Sequence, residues 1–312
     1  LNAEPTTVYL LTYRRGKCLA NCGFCPQAKA SKGRDDMLSR VTWPPFPTEK
    51  VLSRIRPAFE KGAIKRVCIQ ALNYPMVFED LLTLVKEIQS QAKVPISVCC
   101  QPLDRRKMRR LAEAGVNRIG ISLDAATEDI FDKIKGTSVN GPYVWEKQRQ
   151  VLREALRIFG RGRVTTHLIV GLGESEREMV KTIQWCTDLG VYPGLFAFTP
   201  IRGTALENHP QPPLSQYRRI QTAHYLITQG KTRYKKMKFG KDSRLTGFGV
   251  SKEEIKGVIE TGLPFVTSGC PDCNRPYYNE RPGGPLYNYP RLPMPEEIVE
   301  IEEQIQTSTF ED

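Results

Sequence analysis

TTVYLLTYRRGKCLANCGFC, residues 6–25, sets the terms on which the rest of the chain is read. Its first eight residues are a β-branched, apolar and aromatic run, the composition of a buried strand. A loop follows at once, with thiols at Cys18, Cys22 and Cys25 and mostly small or apolar residues between them. Three thiols are an odd number for disulfides and one short of the four ligands of a structural zinc site. Either another group is held there or the spacing is accidental. Placed directly after a strand, such a loop sits where parallel α/β barrels gather their chemistry, at the C-terminal strand ends.

The strand–helix alternation continues outward from this unit. Strand patterns lie at 6–13, 65–70, 95–100, 117–124, 164–171 and 194–200, and helical patterns at 48–62, 78–91, 104–115, 143–160, 175–190 and 214–230. Several helices open on Thr, Asp or Ser and close on Gly, as helix ends favour. Six strand–helix units predict a partial, open (β/α)6 TIM barrel over 1–230, with a doubly wound sheet as the alternative. From 231 the texture turns basic and Gly-interrupted, then dense in Pro, Gly and Tyr, so 231–312 reads as an irregular C-terminal extension closing the barrel.

Composition bounds the function. The chain has 312 residues, 40% of them apolar and 26% charged, as in ordinary globular proteins. No run reaches the roughly 18 apolar residues of a membrane span, and the N-terminal stretch lacks the charge order of a signal peptide. Nine cysteines in such a chain argue for a reducing, cytoplasmic setting and for metal or redox chemistry. The net charge of +12 is spread over helical segments such as DRRKMRR without a nucleic-acid recognition motif. It reads as a solvated basic surface suited to an acidic protein partner.

C-x3-C-x2-C with Phe24 before the third thiol resembles the signature of the radical S-adenosylmethionine (radical SAM) superfamily. The resemblance implies a [4Fe–4S] cluster on Cys18, Cys22 and Cys25 whose open iron binds S-adenosylmethionine and whose electron cleaves it to a 5′-deoxyadenosyl radical. It further implies cofactor contacts from Phe24, from Ser122 and Asp124 at the end of the fourth strand, and from Val170 and Gly171 at the end of the fifth. A helix cap for 126–134 is the competing role for Asp124. Gln70, Ala71 and Asn73 occupy the place of the family's Gly-Gly-Glu segment, with neither its glycines nor its acid. Arg202 after the sixth strand is a candidate for the carboxylate of S-adenosylmethionine, with a plain surface role at equal odds.

RVCIQALNYP and ISVCCQPL are similar to the strand segments on which biotin synthases hold a second cluster. That family's third barrel cysteine is missing, its place falling near Thr165. Cys68 and Cys99 (or Cys100), with Cys270 and Cys273 of the C-terminal C-x2-C, make a four-thiol set for an auxiliary [4Fe–4S] cluster; zinc on the C-x2-C is the alternative. Ser268 or Asn274 is a candidate oxygen ligand, and Cys186 reads as core. The block at 266–293 is similar to one found in the two-protein lipoyl synthases. This implies sulfur insertion into an octanoyl-lysine on a carrier protein, an H protein or an acyltransferase lipoyl domain. The implied partners are that carrier, a homologous second subunit and an electron donor such as a ferredoxin. The acyl chain would meet His167, Phe196 or Phe198.

Overall fold

The computed structural model describes residues 3–275, 279–280 and 283–306. Six strands form one sheet: β1 (Thr7–Leu11), β2 (Arg66–Gln70), β3 (Ile96–Cys99), β4 (Val116–Gly120), β5 (Val164–Val170) and β6 (Tyr192–Ala197). They lie in chain order and every neighbouring pair is parallel. A doubly wound sheet reverses its order part-way. This one never does, so right-handed crossovers place successive helices on one face and the sheet curls into an open arc. The fold is the partial (β/α)6 barrel, with β1 and β6 as its edges.

The helices are α1 (Thr48–Glu60), α2 (Val77–Gln91), α3 (Arg105–Glu113), α4 (Glu128–Lys135), α5 (Trp145–Phe159), α6 (Glu176–Leu189), α7 (Leu214–Thr228), α8 (Lys252–Glu260) and α9 (Pro295–Gln306). Their starts are chemically marked. Ser175 and Glu178 form a reciprocal capping box on α6, and Asp104 accepts the Lys107 amide on α3 at 2.8 Å. Two helices, not one, separate β4 from β5. The extra one, α4, is capped by the Thr127 side chain, which accepts from the Ile130 amide. Asp124 is thus not a cap.

Alternation along the strands sorts side chains between two environments. Val67, Ile69, Ile96, Val98 and Ile119 are fully buried towards the helices. The opposite face looks into the barrel. There the pairing register aligns Tyr9, Cys68, Ser97 and Arg118 in one row, and Leu11, Gln70, Cys99 and Gly120 in the next. The thiols of Cys68 and Cys99 therefore face inward from adjacent strands, and Cys100 belongs to the other parity.

The extension spans the gap between the two edges. Ser268 Oγ accepts the Leu195 amide of β6 at 2.7 Å. At the other edge Asn274 Oδ1 accepts the Thr6 amide at 3.0 Å, and Thr6 Oγ1 donates to the Asp272 carbonyl at 2.6 Å. Residues 276–278 and 281–282 of the Tyr-rich block lie outside the described residues. The extension is anchored on α7 by Arg218, only 1% exposed, which donates to the Tyr287 carbonyl and to Gln221 at 2.7 Å each and to Gln304 of α9 at 3.0 Å.

His224, also on α7, is buried and donates from Nε2 to the Pro193 carbonyl at 2.7 Å. Burial lowers its pKa from 6.5 to about 4. The unfolded chain takes up this proton near 6.5 and the folded chain only near 4, so stability is whole above that window and declines as pH falls through it. The loss amounts to at most about 3 kcal/mol. Urea unfolding of His224→Gln between pH 7 and 4 should show a shallower fall than wild type; identical slopes would contradict this.

Candidate active site

The loop after β1 is tied from several sides. The Cys18 amide donates to the Gln27 carbonyl at 2.8 Å, Gly23 bonds to the Ile134 carbonyl at 2.7 Å, and Lys17 Nζ reaches the Pro26 and Gly33 carbonyls at 2.8 and 2.5 Å. Cys18 Sγ accepts the amides of Ala20 and Asn73 at 3.4 and 3.1 Å. Burial pushes up the pKa of Cys22, and that of Cys25 to about 12, and the neighbouring thiols add to both shifts.

Cys22, Phe24 and Cys25 open onto a cavity of about 210 Å³ at the C-terminal side of the barrel. Gln70, Ala71, Ser122 and Asp124 form part of its wall, and Leu11, Ile169, Phe196 and Phe198 give it an apolar side. Asp124 sits in the left-handed region at φ 64° and pairs with Lys135 Nζ at 2.5 Å, both side chains being buried. Lys135 also donates to the Ser122 carbonyl at 3.0 Å and lies 5.0 Å from the centre of the Tyr143 ring. His167 Nδ1 and Ser122 Oγ share a hydrogen bond of 3.0 Å, and the Phe196 ring packs edge-on against the imidazole at 4.8 Å.

Several expected contacts fall elsewhere. Val170 and Gly171 are not on the cavity wall. Strand parity gives that place to Ile169, while Gly171 packs against Pro212 and accepts from His209 Nε2 at 2.8 Å. Asn73 lies in an adjoining groove and braces the loop, its own carbonyl accepting the Leu19 amide at 2.8 Å. Arg202 is exposed and does not line the cavity. Ser268 and Asn274 are committed to the barrel edges, as described above. Sequence reasoning missed Lys135, which as a lone lysine in a last helical turn carries no signal beyond favouring the helix dipole.

A second group of thiols lies deeper. Cys68 and Cys99 face inward from adjacent strands, and the Cys99 thiol, with burial, pushes the pKa of Cys68 far up. Cys270 Sγ meets Ser97 Oγ at 3.2 Å and Cys273 Sγ meets Tyr9 OH at 3.4 Å, so the C-x2-C touches the same row of the barrel that holds Cys68. Burial, and after it the Cys68 thiol, raises the pKa of both. Cys99 lines the cavity, so the cavity touches both thiol groups. Among the described residues no three Cys, His, Asp or Glu side chains converge as ligands of a single metal ion. Cys100 is on the cavity wall too, largely buried, and burial lifts its pKa to about 12.

Residues 15–186, more than half of the chain, match the family model of the radical SAM superfamily. The chain belongs to the radical SAM superfamily. It is 28% identical to a biotin synthase of Aquifex aeolicus over 208 residues, covering 64% of this chain and 58% of that one. It is also 28% identical to a biotin synthase of Magnetococcus marinus over 170 residues, covering 54% and 49%. The chain thus spans about half to three fifths of these curated relatives. Methylornithine synthase (PylB) has a similar fold, with a TM-score of 0.56 at 14% identity over 73% of this chain and 64% of that one. No helix among the described residues is long and apolar enough to cross a membrane.

Radical SAM chemistry rests on a [4Fe–4S] cluster and S-adenosylmethionine, and the loop fits the cluster. It offers three soft donors with no fourth, and one sulfur already takes two amide hydrogen bonds. The Asp124–Lys135 pair gives the adjoining wall a balanced charge. Lys135→Met strands a buried carboxylate and should destabilise the cofactor-free protein by about 3–5 kcal/mol in urea unfolding. Adding Asp124→Asn should recover much of that loss; two simply additive losses would contradict the pairing.

Proposed function

We propose that this protein is a radical SAM sulfurtransferase whose first cluster, on Cys18, Cys22 and Cys25, works beside an auxiliary iron–sulfur cluster held by Cys68, Cys99, Cys270 and Cys273. The carrying observation is the shared cavity, whose wall includes Cys22 and Cys25 at one place and Cys99 at another. A substrate bound there lies within reach of both thiol groups. The loaded cofactors would supply a hydrogen-abstracting radical and a sulfide for the resulting carbon radical.

The chemistry of the deeper chamber supports the second cluster. Arg66, buried, bonds through Nη1 to Ser97 and Asn117, and its Nε has no partner among the described residues; neither has Nε of Arg118, beside Ser97 in the register. Buried guanidinium groups with open donors call for an anionic neighbour. Four thiolates around a cubane, with its bridging sulfides, supply one. Thiols with raised pKa values are protonated near neutrality, so the metal group displaces their protons on binding.

The remaining residues position and shield. Phe24, Ser122 and Asp124 line the part of the cavity where the nucleoside of S-adenosylmethionine is expected. Leu11, Ile169, Phe196 and Phe198 suit a saturated chain and exclude water. The apolar side favours an octanoyl-lysine on a lipoyl carrier protein, with a second, homologous synthase subunit as partner. The biotin synthase relatives favour a second reading, a free small molecule in the same cavity.

Iron and sulfide analysis of anaerobically prepared protein should give about eight irons per chain, falling to about four in Cys270→Ala/Cys273→Ala. With S-adenosylmethionine, a reductant and the partner subunit, an octanoylated carrier peptide should gain sulfur by mass spectrometry. Deoxyadenosine without a thiolated peptide would favour the small-molecule reading instead.

A further inference from the structure

The cluster loop has a second face. Beside the cavity, behind a wall of Tyr143, Gln101 and Gln148 common to both, lies an open groove of about 380 Å³. Leu19, next to Cys18, and Asn73, whose amide bonds Cys18 Sγ, belong to it. Its rim is apolar and exposed: Leu19 is 46% accessible, Val144 38% and neighbouring Met76 59%.

The groove is ringed by cations. Lys107 and Lys147 line it, Arg110 lies 4.9 Å from the Phe78 ring of its wall, and Arg14 lies 5.8 Å from the Tyr74 ring. Helix α3, which supplies Lys107, reads RRKMRRLAE, and its Arg105, Arg106 and Arg109 are exposed. The acids nearby are Asp80, bonded by Tyr74, Glu79, facing Arg110, and Asp104, which caps α3. They leave α3 and Lys147 with an excess of positive charge. An apolar seat within a basic rim fits an acidic protein, which such charge would steer to it.

We propose that this groove is the docking site of a small acidic one-electron carrier protein, which delivers the reducing electron through the Cys18 side of the loop. The position selects among acidic partners. A substrate carrier must send its acyl arm into the cavity, which the Tyr143 wall closes from this side. An electron carrier needs only proximity to the Cys18 sulfur, and the groove reaches that sulfur through the backbone of Asn73. The proposal rests on the first cluster of the reading above and not on the auxiliary one, so a failure of the thiolation reading leaves it standing.

The test compares wild type with Arg105→Glu/Arg106→Glu/Lys147→Glu, using an acidic flavodoxin as probe. Calorimetry should show flavodoxin binding to wild type that weakens with added salt, and binding at least about tenfold weaker in the variant. Deoxyadenosine formation should fall when reduced flavodoxin drives it and stay at the wild-type rate with dithionite, which needs no docking. Should the triple variant not fold, Lys147→Glu makes the same comparison. Equal flavodoxin affinity, an equal loss with both reductants, or weakened binding of an octanoylated carrier in place of flavodoxin would each overturn the proposal.

Discussion

A six-stranded arc has two free edges, and how they are closed governs the rest of this structure. Unpaired strand edges expose backbone donors and acceptors. Here a segment of the C-terminal extension crosses from β6 to β1, with Ser268 taking the Leu195 amide and Asn274 the Thr6 amide. The same crossing carries Cys270 to Ser97 and Cys273 to Tyr9, opposite the inward row of β1, β2 and β3. Edge closure therefore also brings Cys270 and Cys273 to the row that holds Cys68. The extension is held for this by α7, through Arg218 and its carbonyl partners.

Around that closure the barrel interior is divided by depth. The row of Tyr9, Cys68, Ser97 and Arg118 lies below the row of Leu11, Gln70, Cys99 and Gly120. Above both stand Ser122, His167 and the Asp124–Lys135 pair, facing the first cluster loop across the cavity. Gly120 has a packing reason to lack a side chain, since a Cβ there would come within 2.7 Å of Cys99 Sγ. The lower chamber is rich in cations and the upper wall is charge-balanced, an asymmetry that follows from which residues strand parity turns inward.

Much of this is legible in the sequence. The six-unit alternation predicts the barrel, and spacing alone marks the loop at 18–25. Period two, once β3 is placed, turns Cys99 to the face that also carries Cys68, while Cys100, past the strand end, reaches the cavity wall as well. The same parity turns Arg66 and Ser97 inward with those cysteines, a signal present in the sequence but unused. Val170 and Gly171, matched as a backbone stretch, lie just beyond Ile169, whose side chain parity turns to the cavity wall. Lys135, Asn73 and Arg202 depend on loop paths and helix ends, which local pattern does not fix. The commitment of Asn274 and Ser268 to the edges is a long-range contact with no local trace.

The central proposal is that two iron–sulfur groups share one cavity, one on the loop after β1 and the other in the deeper chamber. Anaerobic crystals of the loaded protein, measured at the iron absorption edge, test it most directly. The account predicts two iron peaks per chain, one against Cys18, Cys22 and Cys25 and the other among Cys68, Cys99, Cys270 and Cys273. A single iron peak, or a zinc signal in the deeper chamber, would contradict it.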